Sequence, residues 1–525
     1  MTIEHKKHLS DCLSEMSDWV VSRSQDTEIT GIAWDSRKVR PGDVFFAMIG
    51  ENFDGHQFIP AAVEKGAAAI IGTRPSAASQ VPYVQLLGDD RQALAKFSAA
   101  FYDHPSRSLI VIGITGTDGK TTTTNLVYHI LHTAGIQVGM ISSVNAKIGD
   151  DAFNTGFHVT TPAAPDIQRY LANMVAAGLT HVVLETTSHG LAQKRVAGVD
   201  YDMAAVTNVT HEHLDYHGTY QDYLQTKGLL FENLSKQGTG DKGFSKLAVL
   251  NKDDESFDYL MKITQTHKIS YSISEKTDLW ADEIEFTPKS LRFNVHGLGK
   301  VFSIRSPLIG RYNVHNSLAA IGLAVVGLQI PIPVVQEAFK TIKTIPGRME
   351  QIDLGQDFLA IVDFAHTPNA IKQALLTARG LTDGKLIAVF GSAGLRDIEK
   401  RKMMPETAAQ MADEMILTAE DPRTESLESI LMDMAEGAER GGAVQGKNFW
   451  LEPDRGTAIR KAVTRAKAGD LVILFGKGHE QSMCFGDIEY AWDDRTALRA
   501  ALADRFGIPG PNMPELPTSP DWQAG

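Results

Sequence analysis

Short apolar runs alternate with longer stretches of helical spacing along nearly the whole chain. That rhythm predicts α/β layers. Residues 44–48 (Val-Phe-Phe-Ala-Met) and 67–71 (Ala-Ala-Ala-Ile-Ile) read as strands of a first segment, which closes near Tyr102-Asp103-His104-Pro105. Strand-like runs at 109–112, 181–184, 204–206 and 247–250 belong to a second, with helical spacing at 121–131 and 220–230. A turn signal at Thr344-Ile345-Pro346-Gly347 precedes a third alternation, with runs at 359–362, 386–390 and 471–475. We expect three domains, 1–104, 105–344 and 345–525, the last ending in a polar, Pro-rich tail from Gly507 that frays. No internal repeat is visible.

Bulk properties change this picture little. A chain of 525 residues is too long for one core, and 43% hydrophobic with 22% charged residues is an ordinary globular composition. The net charge of -13 argues against a nucleic-acid or anionic-membrane partner, though a local site can still be basic. Cys12 and Cys484 are the only cysteines, which excludes a disulfide framework and a cysteine zinc site and suits a reducing cytoplasm. No apolar stretch behind the N-terminus is long enough for a signal peptide or membrane span.

Chemistry concentrates at strand ends. Residues 113–122 read Gly-Ile-Thr-Gly-Thr-Asp-Gly-Lys-Thr-Thr between a strand-like run and a helical one. Gly116 and Gly119 let the backbone turn N–H groups to one point, Lys120 adds a charge, and Thr121 offers a hydroxyl to magnesium. Ile114 stands where a standard phosphate loop has its first Gly. Glu185 ends a strand where open α/β sheets bind ligands, and beside a triphosphate it suits magnesium. His211, His213 and His217 crowd another strand end, where zinc, magnesium with one imidazole, or a structural network all fit. Lys227 reads as a solvated helix lysine, and Asn313 and Asp363 as possible helix caps. In the third part Arg396, Arg401 and Arg423 can grip carboxylates, and Glu420, Asp421 and Glu480 can hold an ammonium group.

Taken in order, these pieces resemble the ATP-dependent Mur ligases over nearly the whole chain, and within them the branch that adds the third residue of the peptidoglycan stem. The resemblance runs through Asp35-Ser36-Arg37, the cradle, Thr160-Thr161-Pro162, residues 185–195, residues 213–218, residues 313–316, Gly347-Arg348-Met349-Glu350, residues 363–368, 420–423 and 476–480. It implies a uridine-nucleotide-binding α/β domain, a central ATPase-like parallel-sheet domain and a C-terminal Rossmann-like domain that binds the amino acid. It also implies an acyl-phosphate route to an amide bond on UDP-N-acetylmuramoyl-L-alanyl-D-glutamate, in the cytoplasm, by a monomer.

Residue roles follow from the same resemblance. Gly116, Thr117, Asp118, Gly119, Lys120, Thr121 and Thr122 would hold ATP, with Asn313, Arg348, Asp363 and His366 closing on it. Thr121, Glu185 and His213 would bind magnesium, joined by Lys227 as N6-carboxylysine; Lys120 and Lys227 would be catalytic beside Glu185 and His213. Ser36, Glu51, Asn52, Phe53, Thr160, Thr161, Thr187, Gln193 and Arg195 would contact the uridine-nucleotide substrate. Arg396, Glu420, Asp421, Pro422, Arg423, Gly476 and Glu480 would hold the amino acid.

Three positions depart from the family pattern. Asp118 replaces the usual Asn, an acid that either caps the loop away from phosphate or weakens ATP binding. Thr187 replaces the commoner Ser and keeps the hydroxyl. Glu420-Asp421-Pro422-Arg423 stands where diaminopimelate enzymes carry Asp-Asn-Pro-Arg. Arg423 favours meso-diaminopimelate, Asp421 a cationic side chain, so L-lysine and L-ornithine stay open. Folylpolyglutamate or cyanophycin ligases and a non-catalytic ATP-binding protein are the wider alternatives.

Overall fold

The computed structural model describes residues 5–16, 18–21, 26–50, 53–75, 80–149, 151–153, 161–210, 212, 214–236, 242, 245–287, 290–520 and 522. Three large sheets divide it, each an α/β layer as the apolar rhythm predicts.

The first sheet runs in the order Trp19–Val21, Tyr83–Leu86, Ala69–Gly72, Asp43–Ala47, Gly31–Ala33. All its pairs are parallel except the first. Helix Asp90–Phe101 starts where Asp89 accepts from the Gln92 amide and buries Leu94, Phe97 and Phe101 against the sheet.

The central sheet has a parallel middle: Val138–Ile141, His181–Glu185, Ile110–Thr115, Met203–Val206, Leu247–Asn251 and His267–Ser272. Both faces are covered, so the inner strands are apolar over most of their length. Val111, Leu184 and Ala204 enter one core while Ile112, Val183 and Ala205 enter the other. Ile110–Thr115 continues to Val138–Ile141 on one side, whereas His181–Glu185 continues to Met203–Val206 on the other. The chain therefore switches direction between two adjacent strands, and a crevice opens at their carboxyl ends. The sheet extends through Leu279–Thr287, parallel to His267–Ser272, to the antiparallel strands Ser290–Gly297 and Lys300–Ser306, an extension not distinguished in the sequence.

The third sheet orders Glu350–Gln351, Leu359–Val362, Leu471–Leu474, Leu386–Phe390, Glu414–Leu417 and Phe449–Leu451, parallel but for its first pair. The tail expected to fray docks instead. Leu516 is fully buried in this lobe's core, and the Thr518 and Ser519 hydroxyls donate to Asp454 Oδ2. Composition alone hid this because a few apolar anchors, Leu516 and Met513 among them, hold an otherwise polar, Pro-rich segment.

Candidate active site

A cleft of about 1350 Å³ opens where the central crevice meets the third lobe. Its floor is the turn after Ile110–Thr115. Gly116 and Gly119 have φ of 145° and 83°, and a Cβ at either would overlap Thr207 Oγ1 or Asn316 Oδ1. The turn is clasped from behind: Thr207 Oγ1 donates to Asp118 O at 2.6 Å, and the Asp118 amide donates to Asn208 Oδ1 at 3.0 Å. Helix Lys120–Thr133 follows with no side chain capping its N-terminus, so Asp118 is not the loop cap. Its amide ends are left for an anion.

Thr121 and Glu185 meet in this crevice. Thr121 Oγ1 lies 3.0 and 3.1 Å from the two oxygens of buried Glu185, and Ser143 donates to Glu185 Oε2 through its amide at 3.0 Å. This cluster of hard oxygens suits magnesium. His213, and also His211, Glu51, Asn52 and Thr160, lie outside the described residues. Among the described residues no group of three His, Cys, Asp or Glu side chains is arranged for a metal. His217, described, packs its ring near those of His189 and Tyr223.

Lys227 is not the solvated residue its helix position alone predicts. It is 1% exposed, donates to Gly116 O at 2.6 Å and lies 4.4 Å from the Tyr223 ring centre. Burial, then the charge of Lys120, holds its pKa well below the ordinary lysine value. Lys120 Nζ donates to Thr117 O at 2.7 Å.

The third lobe closes the cleft through contacts no local pattern announces. Arg348 Nη2 donates to Thr121 Oγ1 at 3.1 Å, Asn369 Nδ2 to Asp118 Oδ2 at 3.3 Å, and His479 Nε2 lies 3.3 Å from Ser143 O. Buried Glu212 lies 3.5 Å from both His366 Nε2 and Lys400 Nζ. Burial lowers the His366 pKa to about 4, so this ring is neutral at pH 7. Asp363 accepts from the Met349 and Ala365 amides and so fixes the turn that carries Arg348. Asn313 Nδ2 donates to Ile309 O, and Asn316 Nδ2 to Asn313 Oδ1, behind Gly119.

At one end of the cleft Thr161 and Thr187 share a 2.9 Å hydrogen bond, and Arg195 donates to Thr161 O and Gln193 Oε1. Ser36 and Phe53 stand on the first sheet's lobe and do not line the cleft; Phe53 is exposed. At the other end Glu420 is buried under Gly476, where a Cβ would overlap its Oε2. Burial raises the Glu420 pKa to about 7. Lys477 Nζ holds both Asp421 oxygens at 3.0 Å and Glu480 Oε2 at 2.5 Å. Arg423 lines the cleft and makes no ion pair among the described residues, while Arg396 lines it nearby. Gly116 and Pro422 shape their loops and do not line it. Arg401 grips Glu425 with a two-point fork inside the lobe and is unavailable to a ligand.

Ser143, Glu212, Asn369, Lys400, Lys477 and His479 are the site residues sequence reading missed. Lys477 and His479 lie inside residues 476–480, one of the stretches that carry the family resemblance, a signal that was there to use.

A glycine-rich turn with uncapped helix amides on one lobe faces a pocket of acids and cations on another. That arrangement suits the activation of one substrate by ATP and its joining to a second, the work of the ATP-dependent ligases. Residues 28–102 match the "Mur ligase family, catalytic domain", 114–324 the "Mur ligase middle domain" and 347–478 the "Mur ligase, glutamate ligase domain". The chain is 40% identical over 497 residues to a UDP-N-acetylmuramoyl-L-alanyl-D-glutamate–2,6-diaminopimelate ligase of Geobacillus thermodenitrificans, covering 95% of this chain and 99% of the relative. It is also 40% identical over 484 residues to a UDP-N-acetylmuramyl-tripeptide synthetase of Roseiflexus sp., covering 91% and 95%. A solved diaminopimelate ligase of the same kind superposes with TM-score 0.63 at 28% identity, over 96% of this chain and all of that one. The chain belongs to the Mur ligase family. No helix among the described residues is long and apolar enough to cross a membrane.

Proposed function

We propose that this chain joins meso-2,6-diaminopimelate to UDP-N-acetylmuramoyl-L-alanyl-D-glutamate with ATP, in the cytoplasmic synthesis of peptidoglycan precursors. The observation that carries the choice of amino acid is Arg423, a cleft-lining guanidinium without an ion-pair partner among the described residues, next to an Asp421 already held by Lys477. The names of the relatives point the same way.

The D-glutamate carboxylate attacks the γ-phosphorus, the bond to the β-phosphate oxygen breaks, and ADP leaves. The amine then attacks the acyl carbon, phosphate leaves with the bonding pair, and the amine sheds its proton. This converts a poor leaving group into a good one. Two anions must first meet, and Lys120 with the free amides of helix Lys120–Thr133 offsets their repulsion. Thr121 and Glu185, with His213 and a carboxylated Lys227, would hold magnesium, which supplies further charge neutralisation when bound. Arg348, held by the Asp363 turn, reaches Thr121 from the third lobe and ties phosphate binding to closure.

Thr161, Thr187, Gln193 and Arg195 would meet the muramoyl dipeptide, while Ser36, Glu51, Asn52 and Phe53 would hold the uridine end; Ser36 and Phe53 lie outside the cleft. Glu420, Glu480 and Arg423 would grip the amino acid. The division into 1–104, 105–344 and 345–525 fits the three separate sheets.

A product-forming assay with the muramoyl dipeptide, ATP and, separately, meso-diaminopimelate, L-lysine and L-ornithine tests this. Tripeptide product is expected with diaminopimelate above the other two. ATP hydrolysis that ignores both co-substrates would sink the ligase reading.

A further inference from the structure

The amino-acid end of the cleft contains a buried cation with no role so far. Lys477 follows strand Leu471–Leu474 and is fully enclosed, its Nζ between Asp421 and Glu480 at 3.0 and 2.5 Å. Asp421 is fixed further by the Cys484 amide at 2.9 Å. The same Cys484 accepts from the Arg423 amide through its carbonyl at 3.0 Å, so Asp421 and Arg423 are locked to one short strand, Ser482–Phe485. Three acids, Glu420, Asp421 and Glu480, thus meet Lys477 and Arg423 here, with Arg396 lining the cleft nearby and Arg455, itself paired with Asp494, buried close to Glu420. Of Lys477 and Arg423, Lys477 is spent inside the protein.

We propose that Lys477 is a specificity-determining residue of this ligase. By cancelling Asp421 within the chain, it leaves Arg423 to meet a carboxylate on the ligand. The pocket then selects a diamino acid whose far end carries both an ammonium and a carboxylate over one that ends in a lone ammonium. This rests on the ligase reading above and deepens it. Lys477 acts through Asp421, Glu480 and the charge they leave, not by reaching the reacting atoms. Removing its charge makes the pocket more negative by one unit, which repels a far carboxylate and attracts a bare ammonium. Removing the charge of Asp421 does the reverse. Asp421, which by sequence argued for a cationic side chain, no longer does so once paired.

The test is the ratio of kcat/KM for meso-diaminopimelate to that for L-lysine, measured on the full chain with saturating muramoyl dipeptide and ATP. Lys477→Met is expected to lower the ratio by about tenfold or more, since a charge-assisted contact is at stake. Asp421→Asn is expected to raise it about threefold, and the double variant, which restores the net charge, to return near the wild-type value. A packing role would lower both kcat/KM values together. An unchanged ratio in Lys477→Met, or a lowered ratio that persists in the double variant, overturns the proposal. If Lys477→Met does not fold, as judged by lost muramoyl-dipeptide binding, a ratio in Asp421→Asn that stays level or falls overturns it. A wild-type chain that makes no product with any diamino acid removes the ligase reading itself, and this proposal with it.

Discussion

Arg348 Nη2 lies 3.1 Å from Thr121 Oγ1, which puts a guanidinium from the approach to the third sheet on the first turn of the helix behind the phosphate cradle. The same guanidinium stacks on Phe364 at 4.4 Å, and its buried Nε has no hydrogen-bond partner among the described residues. An anion held in the glycine-rich turn would satisfy this buried, unmet donor. Arg348→Ala is expected to raise KM for ATP and cut kcat by roughly a hundredfold, the scale of losing one positioned charge in a transition state. Steady-state kinetics in ATP check this; unchanged KM and kcat would remove Arg348 from the ATP site.

Asp118 lines the cradle with its carboxylate beside Asn369. Burial, then the nearby charge of Glu212, raises its pKa to about 6. The side chain is therefore an anion above that pH and neutral below it. Asp118→Asn is expected to lower KM for ATP about threefold at pH 8, where the wild type repels phosphate. The two proteins should converge towards pH 5, where the wild type is protonated. Parallel KM profiles from pH 5 to pH 8 would show that the carboxylate does not face phosphate.

The contrast between these two residues marks what a sequence makes legible. The cradle, Glu185 and the strand runs were visible because each is local: buried parallel strands are unbroken apolar runs, and ligands collect where they end. Asp118 was visible as an odd residue, but its partners Asn369 and Glu212 lie far along the chain and meet it only in the folded protein. Lys227 was misread by periodicity because the face of Tyr220–Lys236 that it shares with Tyr223 is covered by the cradle itself. The tail was misread because its composition does not say where Leu516 and Met513 dock.

Lys227 leads to a chemical prediction. Burial holds the Lys227 pKa well below the ordinary lysine value, which favours the free amine, the form that adds carbon dioxide. The N–C bond forms, a proton leaves, and a carbamate anion replaces the amine. Protein equilibrated with 13C-bicarbonate is expected to show a carbamate carbonyl resonance that Lys227→Met lacks. A spectrum identical in the two proteins would leave Lys227 as a plain amine braced on Gly116 O.

Glu420 ties stability to function through its proton. Burial raises its pKa from the usual 4.5 to about 7, with Arg455 and Lys477 opposing the rise. Between those values the unfolded chain has released the proton and the folded chain still holds it. Folding stability therefore falls as pH rises from about 4.5 to about 7, and the loss is complete above that. Glu420→Gln removes the titrating group and should be more stable than wild type at pH 8 by on the order of 2 to 3 kcal/mol, relative to their difference at pH 4.5. The same change removes an acceptor for the amino acid's ammonium group, so KM for the diamino acid should rise at pH 8. In the wild type that KM should itself rise as pH drops below about 7, when the carboxylate takes up its proton. Urea denaturation of both proteins at the two pH values, with the KM profile beside it, checks the linkage. A stability difference equal at pH 4.5 and pH 8 would mean that Glu420 is ionised throughout and that its burial is offset by Arg455 and Lys477.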